Sequence, residues 1–215
     1  MNEQTVEPAS AIRWCGLAAL VGGALVALFY AFLVGRQMLD WEAGPTLGTP
    51  AHRPLMYTVT TAMPLLMVGV TGLLAWKRTQ LGWMGSVGGL VTLAGFALWA
   101  YAAAANFTWL PAPPWLPVAS FPALVAVGSL ALGLSVARVP AVARGAALLV
   151  GIGGVVGIGL LTVADVAAWL PRLDLSVETG PLARMGGYLA MLHYGSGWAW
   201  LGFDLWRRRS NGCAA

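Results

Sequence analysis

The chain has 215 residues, of which 59% are hydrophobic and 9% charged, with a formal net charge of +4. A water-soluble domain needs about a quarter charged residues to cover its surface, so this composition excludes one. The cationic excess is no nucleic-acid signature either, because Lys and Arg stand at the ends of apolar runs, where they anchor helices at headgroup depth.

Those runs are each long enough to cross a bilayer, which takes roughly 20 residues at helical rise. The expected fold is all-α, a polytopic membrane bundle of six transmembrane helices filling residues 11–206. A polar tail (1–10) precedes it and a basic tail (207–215) follows. Span one is 11–35; it is too long for a signal-peptide core and follows an acidic start with Glu3 and Glu7, so it reads as a retained helix. A loop broken by Pro45 and Pro50 leads to span two, 54–76, in which Pro64 is expected to kink the helix. A basic turn (77–82) opens span three, 83–105, and a proline-rich loop (106–117) leads to span four, 118–137. A second basic turn (138–144), span five (145–170), a polar loop (171–183) and span six (184–206) complete the chain.

Orientation follows from the cations. Arg13, Lys77, Arg78, Arg138, Arg144, Arg207, Arg208 and Arg209 share one side, and Arg36, Arg53, Arg172 and Arg184 the other. Eight against four puts both termini in the cytoplasm. Trp14, Trp76, Trp83 and Trp206 mark the inner boundary, and Trp41, Trp109, Trp115 and Trp169 the outer one. Trp198 and Trp200 lie deeper and read as packing. Cys15 and Cys213 fall on the cytoplasmic side and read as reduced thiols.

Lipid is as apolar as leucine, so helices here must associate by close approach through small residues. Gly85 and Gly89 supply such a step in span three, and Gly153 and Gly157 in span five. In span six, Gly186, Ala190, His193, Gly197, Trp200 and Asp204 recur at intervals of four or three, which places them on one stripe expected to face the bundle.

Ionisable side chains within spans are costly and face a partner or a wet cavity. Asp165 and His193 are the two that stand inside apolar runs, and side-chain tilt along antiparallel helices is expected to bring them to similar depth. His52, Tyr57, Thr60, Thr61, Asn106 and Thr162 fall in the same outer leaflet, consistent with a small cavity open to that side, while the plainer reading of Asp165 and His193 is a neutralised structural contact between two helices. Asp204 reads as an interfacial partner of Arg207 or Arg208.

Pro50-Ala51-His52, the Gly72-Leu73-Leu74 exit, Gly82-Trp83-Met84-Gly85, Arg138-Val139-Pro140 and the closing Trp200-to-Trp206 segment form a recurring plan. In these parts the chain resembles small six-span membrane proteins of actinobacteria and related bacteria. The resemblance implies a six-helix fold and no assigned activity. No HExxH, nucleophile elbow, phosphate loop or CxxC occurs, so catalysis has no sequence support beyond the Asp165–His193 pair. The expected function is a non-enzymatic accessory or scaffold subunit that binds lipid, another membrane protein or itself, and no nucleic acid. Two alternatives stand beside it. One is a small solute or proton-coupled carrier around Asp165 and His193. The other is a cofactor protein or enzyme of the outer leaflet, with haem, pigment or metal held through His52 and His193, although no cofactor is expected on the main reading.

Overall fold

A computed structural model describes residues 7–40, 52–107, 120–140, 142–169 and 179–207. Most of both tails and of the expected 36–53, 106–117 and 171–183 loops, with Trp41, Trp109, Trp115 and Cys213, lies outside the described residues. All regular structure among the described residues is helical: α1 (Glu7–Leu39), α2 (His52–Phe107), α3 (Ser120–Val136), α4 (Arg144–Trp169) and α5 (Thr179–Arg207).

Helix starts differ from the sequence reading for one physical reason. Pro8, Pro54, Pro122 and Pro181 each stand within the first three residues of their helices. In the first turn proline gives up no intrahelical hydrogen bond and its fixed φ favours the helix, so it opens helices as readily as it ends them. As a result α1 begins at Glu7 instead of residue 11, and α5 at Thr179 instead of residue 184.

α2 is two rods in one. Its backbone leaves helical geometry at Lys77 (φ −121°, ψ 16°) and at Gly82 (φ 63°, ψ −174°), within the basic turn expected at 77–82. Gly82 occupies the left-handed region open to glycine at little cost. Pro64, expected to bend the first arm, sits inside it with no non-helical φ/ψ beside it. Counting the arms separately, the described residues form six rods.

Among the described residues four stretches are long and apolar enough to cross a membrane: Ser10–Leu39, Tyr57–Lys77, Thr79–Ala102 and Arg144–Ala164, with Phe121–Val136 a shorter apolar helix. The expectation of six spans is therefore met by length and hydropathy in four. α5 is long enough at 29 residues, but its glycines, tyrosines and tryptophans, with His193 and Asp204, dilute its apolar character.

The rods form a ring in chain order. α1 packs on α2, α2 on α3, α3 on α4, α4 on α5, and α5 back on α1. Glycine contacts fix the registers. Gly22 of α1 meets Ala62, Leu65 and Leu66, and Gly72 meets Cys15, so α1 and the first arm are antiparallel. Gly85 meets Ser135 and Gly95 meets Val125, so the second arm and α3 are antiparallel as well. An even number of alternating rods brings α5 back antiparallel to α1.

The α1–α5 closure is the tightest seam. A Cβ on Gly16 would lie 2.9 Å from the carbonyl oxygen of Gly202, and one on Gly195 would lie 2.8 Å from that of Gly23. A Cβ on Gly202 or Gly23 would fall against the backbone nitrogen of Leu20 or Ala199. Gly16 and Gly23 are seven residues apart, as are Gly195 and Gly202. Two heptad-spaced glycine pairs thus meet in antiparallel order and bring the backbones themselves into contact.

The ring is filled rather than hollow at its centre. Val26, Met63, Leu66, Phe96, Val125, Met191, Tyr194 and Trp198 are all 2% exposed or less. Tyr194 reaches across α4 to α3: its ring lies over Gly154, whose absent side chain leaves the passage, and its hydroxyl pairs with Ser129 Oγ at 3.0 Å. Trp198 sets its ring edge-on to both Phe96 and Tyr194. Its Nε1 is buried and finds no acceptor among the described residues.

Gly202→Leu is expected to destabilise the bundle by at least ~2 kcal/mol, since overpacking a backbone contact forces the helices apart. Gly35→Leu, placed where nothing lies within 4 Å, is the matched control and should leave the thermal midpoint in detergent nearly unchanged. Ser129→Ala should cost about 1 kcal/mol by stranding the Tyr194 hydroxyl. Adding Tyr194→Phe should recover part of that loss in a double-mutant cycle read by chemical unfolding.

Candidate functional site

α5 carries the residues on which any site depends, and its faces separate cleanly. Gly187, Met191, Tyr194, Trp198, Leu201 and Leu205 point into the ring and are buried. Gly195, Ala199 and Gly202 face α1. Gly186, Ala190 and Gly197 face α4: Gly186 meets Leu160, the Ala190 carbonyl meets Gly153, and Gly197 meets Leu149, Val150 and Ala146. Gly157 meets Met191 across the same seam, while Gly85 and Gly89 pack on Ser135 and Leu74.

The stripe expected to face inward is therefore a flank. Its glycines and Ala190 touch α4, but His193 and Trp200 stand on the outer surface, Trp200 with half of its area exposed. The inward face is the row one residue later, from Met191 through Tyr194 and Trp198. Glycines on three sides of one helix give three plausible stripes, and small-residue spacing does not say which of them meets the core.

The same contacts separate Asp165 from His193. Gly157 lies against Met191, Gly153 against Tyr194, and Leu161 against Gly187, so residues paired across α4 and α5 sum to nearly the same number. His193 is then level with Val155, and Asp165 level with Ala183. The two stand roughly ten residues apart along the bundle, ~15 Å at helical rise. α5 starts a turn earlier than the sequence reading placed it, which carries His193 deeper.

Of the other expected members of the outer polar cluster, Thr162, Tyr57, Thr60 and Thr61 have described side chains. Thr162 is exposed and donates to the Ile158 carbonyl of its own helix at 2.8 Å. Tyr57 and Thr61 are exposed on the outer face of the first arm of α2, and Thr60 is half-buried. The side chains of Asp165, His52 and Asn106 lie outside the described residues. Among the described residues no group of three His, Cys, Asp or Glu side chains is placed to hold a metal ion.

His193 remains as the chemically distinctive feature. Its Nδ1 lies 2.7 Å from the Leu189 carbonyl oxygen. A carbonyl only accepts, so Nδ1 carries the proton and donates, and in that tautomer Nε2 is the ring's acceptor on an exposed side chain. One turn on, Ser196 Oγ donates to the Leu192 carbonyl at 2.9 Å, which leaves its lone pairs as acceptors. α4 spans 26 residues with its midpoint at Val156 and Gly157, so His193 stands at the middle of the bundle's depth. The outer face around it is apolar, with Ile152, Val155, Val156, Leu189 and Phe203 all exposed.

Sequence reasoning identified His193 but missed its neighbour Ser196 and the face they share. The signal was present in the spacing of Leu189, His193, Ser196, Trp200 and Phe203, a stripe of period 3.5. Comparisons of the chain with protein families, with curated proteins and with solved structures found no match.

With ~15 Å between them, Asp165→Asn and His193→Ala should act additively on stability, within about 0.5 kcal/mol in a double-mutant cycle. A larger coupling measured by unfolding in detergent contradicts this register.

Proposed function

We propose that the protein is a non-enzymatic accessory subunit of a bacterial inner membrane, crossing it six times with both termini cytoplasmic. In this reading it docks another membrane protein on the outer face of α4 and α5. The carrying observation is the pair of acceptors, His193 Nε2 and Ser196 Oγ, at mid-depth on an otherwise apolar outer surface.

The hydrocarbon interior offers no hydrogen-bond donors, so a polar face at that depth is costly against lipid and favourable against a helix that supplies donors. Each hydroxyl or imidazole N–H on this face is already committed to its own backbone. The complementary partner is therefore a transmembrane helix that presents donors, such as Ser, Thr, Asn, Gln or Trp. Trp200 extends the same face, its ring lying 3.4 Å from the Cβ position of Gly145 on α4. The six-span reading takes α5 as the sixth crossing. Its weaker hydropathy agrees with a helix that has protein on three sides and, in this proposal, a partner on the fourth. The cation count of eight against four supports the orientation.

His193→Leu tests the reading. It is expected to leave the thermal midpoint of the isolated bundle within a few degrees of wild type. It should also remove at least about nine-tenths of any membrane protein that co-purifies in mild detergent, equivalent to losing about 1.4 kcal/mol of association. A partner retained in full by His193→Leu, or a wild-type protein that always purifies alone, contradicts it.

A further inference from the structure

Across the ring from the α4–α5 face, the two arms of α2 enclose a groove of about 410 Å³, open to the outside of the bundle and lined by Thr71, Leu74, Ala75, Ser86, Leu90 and Leu93. Its volume lies in the range of sites for small ligands. Its two hydroxyls have no proton left to donate to a ligand. Thr71 Oγ1 donates to the Met67 carbonyl at 2.9 Å and Ser86 Oγ to the Gly82 carbonyl at 2.9 Å. With those donors committed, the groove offers an occupant methyl and methylene groups and two hydroxyl oxygens that can only accept.

One end of the groove is different. It runs towards the Lys77–Gly82 turn, where the arms separate: Leu74 still packs on Gly89, and Ser86 lies one helical turn beyond Gly82. At that end Lys77 Nζ sits 4.2 Å above the Trp76 ring, and Trp83 is 79% exposed. A lysine held by a tryptophan, with a second exposed tryptophan directly after the same turn in sequence, is the chemistry of the headgroup layer. An apolar slot with a lysine two residues beyond its last lining residue on the first arm, Ala75, matches a molecule with a hydrocarbon chain and an anionic head.

We propose that the groove between the arms of α2 binds an anionic phospholipid, with one acyl chain along Leu74, Leu90 and Leu93 and its phosphate at Lys77. The assignment is independent of the docking face on α4 and α5, from which the groove is separated by the width of the bundle. A basic site between transmembrane helices at the membrane boundary selects anionic heads, and the apolar slot distinguishes a bound lipid from one that passes along the surface.

Native mass spectrometry of the full chain, delipidated in detergent and titrated with phosphatidylglycerol or phosphatidylcholine of the same acyl chains, tests the proposal. Phosphatidylglycerol should bind about fivefold more tightly, the preference expected from one lysine at the membrane surface. Lys77→Gln should bring the two lipids to parity without lowering the thermal midpoint in detergent. Ala75→Phe, which fills the groove and leaves the cation, should weaken both lipids by at least about fivefold. Because Ala75 is exposed on the outer side of its helix, this variant should fold like wild type. Equal binding of the two lipids by wild type overturns the proposal, as does a preference that survives Lys77→Gln or binding that is indifferent to Ala75→Phe.

Discussion

Everything in this bundle depends on how closely α1 and α5 approach. Chain connectivity brings each rod next to its successor, but nothing covalent joins the first rod to the last. The contact is made by Gly16 and Gly23 against Gly202 and Gly195, where backbone meets backbone. In a membrane that closeness is the main source of attraction, since dispersion grows with the number of atoms brought to contact and hydrophobicity between helices contributes little. The adjacent Gly22 serves a different neighbour, meeting Ala62 and Leu66 of α2. Two successive glycines in α1 thus bind it to both sides of the ring.

Closure in turn decides what α5 can do. Once α1 and α4 occupy two of its sides, the large residues Met191, Tyr194 and Trp198 must fill the centre, and His193 and Ser196 are left outside. The Tyr194–Ser129 hydrogen bond depends on the same geometry, because the tyrosine spans α4 only where Gly154 leaves room. Small residues therefore act at two levels. They set the distances between helices, and through those distances they settle which polar groups are enclosed and which are presented to the membrane.

Composition and hydrophobic runs made the all-helical membrane class legible, and the basic turn at 77–82 was placed correctly from its residues alone. The glycines of spans three, five and six were legible as contact points because each is a small residue in an apolar helix. The closure was not, because its glycines are paired between helices a whole chain apart and show only as two separate seven-residue intervals. Helix starts were misplaced where polar residues were read as tail or loop, although a proline in the first turn lets the helix begin among them. The inward face of α5 was missed by one residue, since glycines occur on three sides of it and only the bulk of Tyr194 and Trp198 marks the core. That single rotation, with the earlier start of α5, moved His193 out of the expected cavity and away from the level of Asp165.

The antiparallel α1–α5 closure is best tested by distance measurement between spin labels in lipid nanodiscs, with Cys15 and Cys213 replaced by serine. Arg13, Arg207 and Leu182 are exposed and suited to labelling. The glycine register sets Arg13 level with Arg207, so labels at this pair should lie within about 20 Å. Labels at Arg13 and Leu182 should be separated by nearly the length of the bundle, ~38 Å for 25 residues of helical rise. A narrow short distance for the first pair and a long one for the second is the result the closed ring requires. A long or broad distance between Arg13 and Arg207 contradicts it.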